Sequence, residues 1–171
     1  PAPSPTGVRT HLCFVGCFKF TRKICMNQIG HFILPSSQGN TQLLVPFDYN
    51  LIYIHATPMK NKSSASILAA YKHTHTLLTA RGLHPQLQKL DNEASTALQS
   101  FMSSKKIDFQ LAQSHIHYHN ATECAIRTFK NHFIASICST DQQFPLHLWD
   151  RRLLPQTLIT LNILHGSQIN P

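Results

Sequence analysis

Two of the seven acidic residues in this 171-residue chain, Asp91 and Glu93, stand together in LQKLDNEAST (87–96). A third, Glu123, follows in ATECAIRTFKNHFIASIC (121–138). If that stretch is helical, Glu123, Arg127 and Lys130 fall at i, i+4 and i+7 and share an arc of about 60°. A carboxylate followed by two cations on one exposed face can ligate a metal and grip the phosphates beside it. Each acid also has an ordinary use. Asp91 can cap a helix, and Glu123 can complement a helix dipole and pair with Arg127.

Positioning these residues is the work of strands and helices whose patterns are readable. Extended character from Ile24 to Leu34 stops at the turn signal PSSQGN, and TQLLVPF (41–47) and LIYIHAT (51–57) are rich in β-formers. SSASILAAYKHTHTLLTARG carries Ile67, Leu68, Tyr71 and Leu78 at helical spacing, with Ser63 or Ser64 to start it and Gly82 to end it. QLQKL then reads as a strand with Asp91 at its carboxyl end, where open α/β sheets bind their ligands. ASTALQSFMSS is an amphipathic helix, placing Glu93 in first-turn chemistry, and IDFQL (107–111) alternates as a strand. Ile126, Phe129, Phe133 and Ile137 form the buried stripe of the 121–138 helix. PLHLWDRRLLPQTLITLNILHG is a helix kinked or broken before Pro155. The order βββ-α-β-α-β-α-α predicts a mixed five-stranded sheet, three antiparallel strands then two parallel, flanked by helices.

Fifteen Lys and Arg against seven Asp and Glu give +8 with His neutral, a surplus that favours polyanions such as nucleic acid. Five Cys form an odd set without CxxC, which argues for reduced thiols and against a disulfide framework. No run approaches a membrane span, and LCFVGCF reads as a strand rather than a signal peptide. An intracellular location, nuclear or cytoplasmic, is expected. HIHYHN (115–120) has three alternating His but no Cys or carboxylate to complete a zinc tetrahedron and is read as a polar loop, while HTH (73–75) is read as solvated.

LDNEAST, NATECAIRTFKNHF and FPLHLWDRRLLPQTLITLN together resemble the catalytic core of the retroviral-type integrases carried by LTR retrotransposons. The resemblance implies an RNase H-like domain over 23–171, truncated at its carboxyl end, after a poorly defined lead-in at 1–22. It implies metal-dependent polynucleotidyl transfer on DNA, with two Mg²⁺ (or Mn²⁺) ions held by three carboxylates. Asp91 matches the second catalytic aspartate and Glu123 the glutamate, the two metal ligands that remain. Arg127 and Lys130 match helix cations that contact DNA; Asn92, Asn120, Lys60 and Lys62 are further candidates for that contact. Partners would be element ends and target DNA, with homo-oligomers if the core is active, and no membrane.

Two departures stand out against that pattern. The first aspartate belongs in the first strand, and MNQIGHF (26–32) has Asn27 there. Asp48 cannot replace it, because only one further strand lies between it and the helix at Ser63. Asn27 keeps the shape of an aspartate but offers a neutral oxygen, a poor bridge between two cations. Second, Arg151 and Arg152 both separate the Trp-Asp pair from Leu-Leu-Pro, one residue more than expected. An extra helical residue turns the rest of the helix by about 100° unless something absorbs it. The expectation is an integrase-type core with impaired catalysis; the alternative is a non-enzymatic nucleic-acid-binding remnant.

Overall fold

The computed structural model describes residues 22–32, 34–90, 94–111 and 121–164. Along the chain come β1 (Lys23–Ile29), β2 (Gln42–Asp48), β3 (Tyr53–Ile54), β4 (Thr57–Met59) and α1 (Ser64–Ala80). Then follow β5 (Leu87–Leu90), α2 (Thr96–Ser104), β6 (Asp108–Leu111), α3 (Ala121–Cys138) and α4 (Leu154–Leu164). β1 pairs antiparallel with β2 and parallel with β5, and β5 pairs parallel with β6. The sheet order is β3-β2-β1-β5-β6, with β4 also on β2. The mixed sheet and its helices follow the expected order.

Six strands replace the expected five because the third is split. β3 pairs with Phe47 and Asp48, and β4 with Gln42, Leu43 and Leu44. Between those pairings the His55 N–H donates to the Pro46 carbonyl at 3.0 Å. Pro46 therefore turns its backbone groups toward this strand, yet has no N–H to return. The ladder breaks opposite the proline.

Each face of the sheet carries its own core. Leu44, Met59, Tyr71, Leu90, Leu98 and Met102 pack on the α1–α2 side. Val45, Phe47, Phe129, Phe133, Trp149 and Leu158 pack on the α3–α4 side. Leu44 and Val45 are adjacent and serve opposite layers, as the pleat requires. Phe129 and Met102 are fully buried, each stabilising the fold by about 1.5–3 kcal/mol relative to exposure.

Helix ends use local chemistry. The Ser63 side chain accepts from Ser66 N–H at α1, and the Ser95 side chain accepts from Leu98 N–H at α2. α1 ends with Gly82 at φ +76°, its N–H bonding Thr79 and the Leu83 N–H bonding Leu78, a Schellman closure. Ser95, then, caps α2. No acid lies in that helix's first turn, which corrects the first-turn reading of Glu93. Asp48 ends β2, its Oδ1 accepting from the N–H groups of Asn50 and Leu51 at 2.9 and 3.0 Å. It is thus the last strand residue, holding the turn after the second strand from just before it rather than standing within it.

The carboxyl-terminal segment breaks before Pro155, in an informative way. A 3₁₀ turn (Leu146–Leu148) runs into a five-residue π turn, Trp149–Leu153, and only then does α4 begin. A π turn holds one residue more than an α turn and absorbs an insertion. Trp149 and Asp150 stay buried, Arg151 and Arg152 bulge into solvent, and Leu154 and Leu158 keep their places in the core. No helix among the described residues is long and apolar enough to cross a membrane.

Candidate functional site

Asn27 pairs across the ladder with Val45, which is buried with Ala125, Ile126 and Phe129 of α3. Directly opposed residues share a face. Asn27 therefore stands on the α3 side of the sheet, exposed where Cys25 and Ile29 on the same side are buried. Its Oδ1 accepts from the Gln28 N–H at 2.7 Å, which leaves the side-chain NH₂ as the free end.

A cleft of about 240 Å³ reaches Asn27 from the opposite, α1–α2 side of the sheet, lined also by Gln28, Leu44, Lys62, Leu90, Ala94 and Ser95. Leu90 is the last residue of β5 and Ser95 the cap of α2. The described residues on both sides of 91–93 thus border Asn27. Asp91, Asn92 and Glu93 themselves lie outside the described residues, as do Asn120 and HIHYHN.

Glu123 sits exposed in the first turn of α3, two residues before Ala125, which is buried on the Asn27 face. It is not among the residues lining the Asn27 cleft. Arg127 and Lys130 are exposed on the same helix, as the spacing predicts. No Glu123–Arg127 ion pair forms among the described residues; Arg127 Nη2 lies 3.5 Å from Cys124 Sγ instead. The line i, i+4, i+7 continues to Ile134, which is 57% exposed.

The two lysines after β4 part company. Lys62 borders the Asn27 cleft, while Lys60 lines a separate depression with Gln38, Asn40 and His73. HTH (73–75) is not uniformly solvated either. Thr74 is 1% exposed and bonds the Thr57 hydroxyl at 2.9 Å, and His75 packs on Tyr71 and Phe101. Burial lowers the His75 pKa, helped by Lys105 and His84.

A two-ion magnesium centre asks for several anionic oxygens in a near-octahedral array. Among the described residues no three His, Cys, Asp or Glu side chains converge on one point. Of the positions that the resemblance assigns to metal, the described residues supply one carboxylate, Glu123, and the neutral Asn27 oxygen, already engaged by Gln28. Asn27 in place of a carboxylate takes one anionic oxygen away from such a centre.

The sequence reading missed a polar cluster at the π turn before α4. Asp150 is 6% exposed, its Oδ2 accepts from Asn40 Nδ2 at 2.9 Å, and its Oδ1 is buried without a partner. Beyond it a cavity is lined by His55 and Arg81. The Trp-Asp pair was the available signal, since a carboxylate beside a core tryptophan starts next to the interior. His55 gave none.

No family model matches the chain, and no curated protein matches it in sequence. Solved structures do. The magnesium-bound HTLV-2 integrase catalytic core domain in its dimeric form superposes with a TM-score of 0.65 at 17% identity, covering 87% of this chain and 94% of that one. Its trimeric form gives 0.64 at 17%, covering 86% and 93%. The BIV integrase catalytic core domain gives 0.61 at 13%, covering 87% and 88%. With identity this low the likeness speaks for architecture, and the architecture is plain: this chain has the RNase H-like fold of retroviral integrase catalytic cores.

Proposed function

We propose that the chain is an integrase-type DNA-processing core whose metal-dependent polynucleotidyl transfer is impaired by Asn27. The observation that carries this is the placement of residue 27. It lies on the α3 face, beside the carboxyl end of β5 and two residues past the stretch of β1 (Lys23–Cys25) that pairs parallel with β5, near the strand ends where such sheets bind ligands. Asp91 and Glu123 are the acids proposed to act with it. Arg127, Lys130 and Lys62 are proposed to hold DNA phosphates, with Asn92, Asn120 and Lys60 as further contacts. DNA and further copies of the chain are the partners this reading implies.

Strand transfer on DNA ends, assayed with Mg²⁺ or Mn²⁺ for the natural chain and Asn27→Asp, tests it. Feeble transfer by the natural chain and at least tenfold recovery in the variant are expected. Robust transfer by the natural chain refutes the impairment.

A second reading, DNA binding without catalysis, draws on Lys62 and the Asn27 NH₂ bordering one cleft, since both are donors suited to phosphate oxygens. Binding that persists in EDTA while Asn27→Asp stays inactive favours it.

A further inference from the structure

α1 and α4 reach the β3–β4 edge of the sheet from opposite layers, and between them lies a cavity of about 500 Å³ on which the proposed DNA processing makes no demand. That size suits a small organic ligand. Leu154, Pro155, Leu158, Ile159 and Ile163 supply an apolar wall, of which Ile159 and Ile163 are 57% and 77% exposed. The edge itself is closed to an added strand. Asn162 Oδ1 accepts from the Ile54 N–H at 2.9 Å and its Nδ2 donates to the Ile54 carbonyl at 2.7 Å, which occupies both backbone groups there.

The charge that this cavity offers to a ligand is positive. Arg81, which closes α1, donates from Nη1 to the Tyr53 hydroxyl at 2.6 Å and stands 5.8 Å from that ring's centre. No carboxylate among the described residues bridges to it, and a guanidinium has five N–H donors. Asp150, the one acid among the lining residues, keeps its oxygens to the protein: Oδ1 is closed to solvent and Oδ2 accepts from Asn40 at 2.9 Å. His73 and His55 complete the polar side. Burial, then Arg81 and His73, lower the His55 pKa to about 4, so that ring is uncharged at neutral pH and feels the positive charge around it.

We propose that this cavity binds a small amphiphilic carboxylate, its head on the Arg81 guanidinium and its hydrocarbon body along Leu158, Ile159 and Ile163. A single guanidinium matches a single negative charge, and its planar fork suits the two oxygens of a carboxylate. Tyr53 holds that fork from one side, which lowers the cost of ordering a long side chain around the ligand. His73 and the neutral His55 imidazole can each add a hydrogen bond from the same lining. Neither Asn27 nor a metal takes part, so this binding stands or falls apart from transfer chemistry.

Full-length chain with ¹³C-labelled isoleucine methyls, titrated in turn with octanoate, octanol and octylammonium, tests the proposal. Saturable shifts at Ile159 and Ile163 are expected with octanoate, with the alcohol and the cation binding about fivefold more weakly or not at all. Arg81→Gln should weaken octanoate by about the same factor and leave octanol unchanged. Ile163→Glu, at an exposed position, should also weaken octanoate selectively by setting a like charge beside it. Octanoate should raise the His55 pKa read from its ring resonances, because an anion offsets Arg81. No saturation by octanoate, equal binding of all three probes, or an octanoate affinity untouched by Arg81→Gln overturns the proposal. Isoleucine signals that move with protein concentration alone and then ignore octanoate assign the face to a second copy, and overturn it too.

Discussion

Single positions show where this fold tolerates little change. Gly30 adopts φ +107°, and a Cβ there would lie 3.1 Å from the Thr41 carbonyl oxygen and 3.3 Å from the Phe32 ring. Gly30→Ala should therefore lower stability by about 1–3 kcal/mol, through left-handed strain and backbone crowding together. Urea unfolding measures it, and a loss within a few tenths of a kcal/mol would contradict the argument. Tyr71 behaves oppositely. Its hydroxyl is buried without a partner, and burial pushes the phenol's pKa up. Tyr71→Phe should be neutral or stabilising, because it removes an unsatisfied group and keeps the ring against Phe101. His55 gives a pH dependence. Its folded value lies near 4 against an ordinary 6.5, so as pH falls the unfolded chain takes up this proton first. The stabilisation is complete above about 6.5 and drains away toward 4, by at most about 3 kcal/mol. His55→Phe should flatten the change in urea midpoint between those values.

At the level of elements, local rules did most of what the sequence could do. Ser63 and Gly82 announce helix ends by chemistry confined to a few residues, and the structure uses both so. The stripe Ile126, Phe129, Phe133 follows from period alone and faces the core. What failed was pairing. LIYIHAT reads as one strand, and its break is visible only when Pro46 on the neighbouring strand is known to lie opposite. Asn27 was legible as a departure from a pattern, but its orientation toward α3 needed the ladder register. Asp150 and His55 needed the tertiary fold, since neither stands in a local pattern. The extra arginine was legible, whereas its accommodation was not. Because the π turn Trp149–Leu153 holds the insertion on its solvent side, deleting Arg152 should turn it into an ordinary α turn. Stability should then change by no more than about 1 kcal/mol, with Trp149 and Leu154 still buried. Inserting an alanine after Leu158 should instead rotate the rest of α4 by about 100° and expose Leu161. Thermal unfolding of the two variants separates these cases; equal damage from both would refute a tolerant π turn.

Across the whole molecule, charge and architecture can be weighed together. A net +8 is a statement about partners and not about the fold. Only its distribution selects a binding face. Arg127 and Lys130 are exposed on α3, the helix packed over the face that holds Asn27, and Lys62 borders the Asn27 cleft from the α1–α2 side. Lys60 opens into a different depression and Lys105 follows α2. If DNA runs past Asn27 from α3 to Lys62, binding should weaken steeply with salt, since each phosphate contact releases counterion. Replacing Lys62, Arg127 and Lys130 one at a time with Gln should reduce the slope of log K against log salt by about one each. Lys60→Gln and Lys105→Gln remove the same formal charge and should leave the slope nearly unaltered. Fluorescence anisotropy on a short duplex, repeated across salt concentrations and in EDTA, reads all five variants on one scale. Equal losses from every lysine and arginine would mean that the surplus acts as a diffuse cloud, with no defined track. A selective loss from the first three would tie DNA to the surroundings of Asn27, whether or not transfer chemistry survives there.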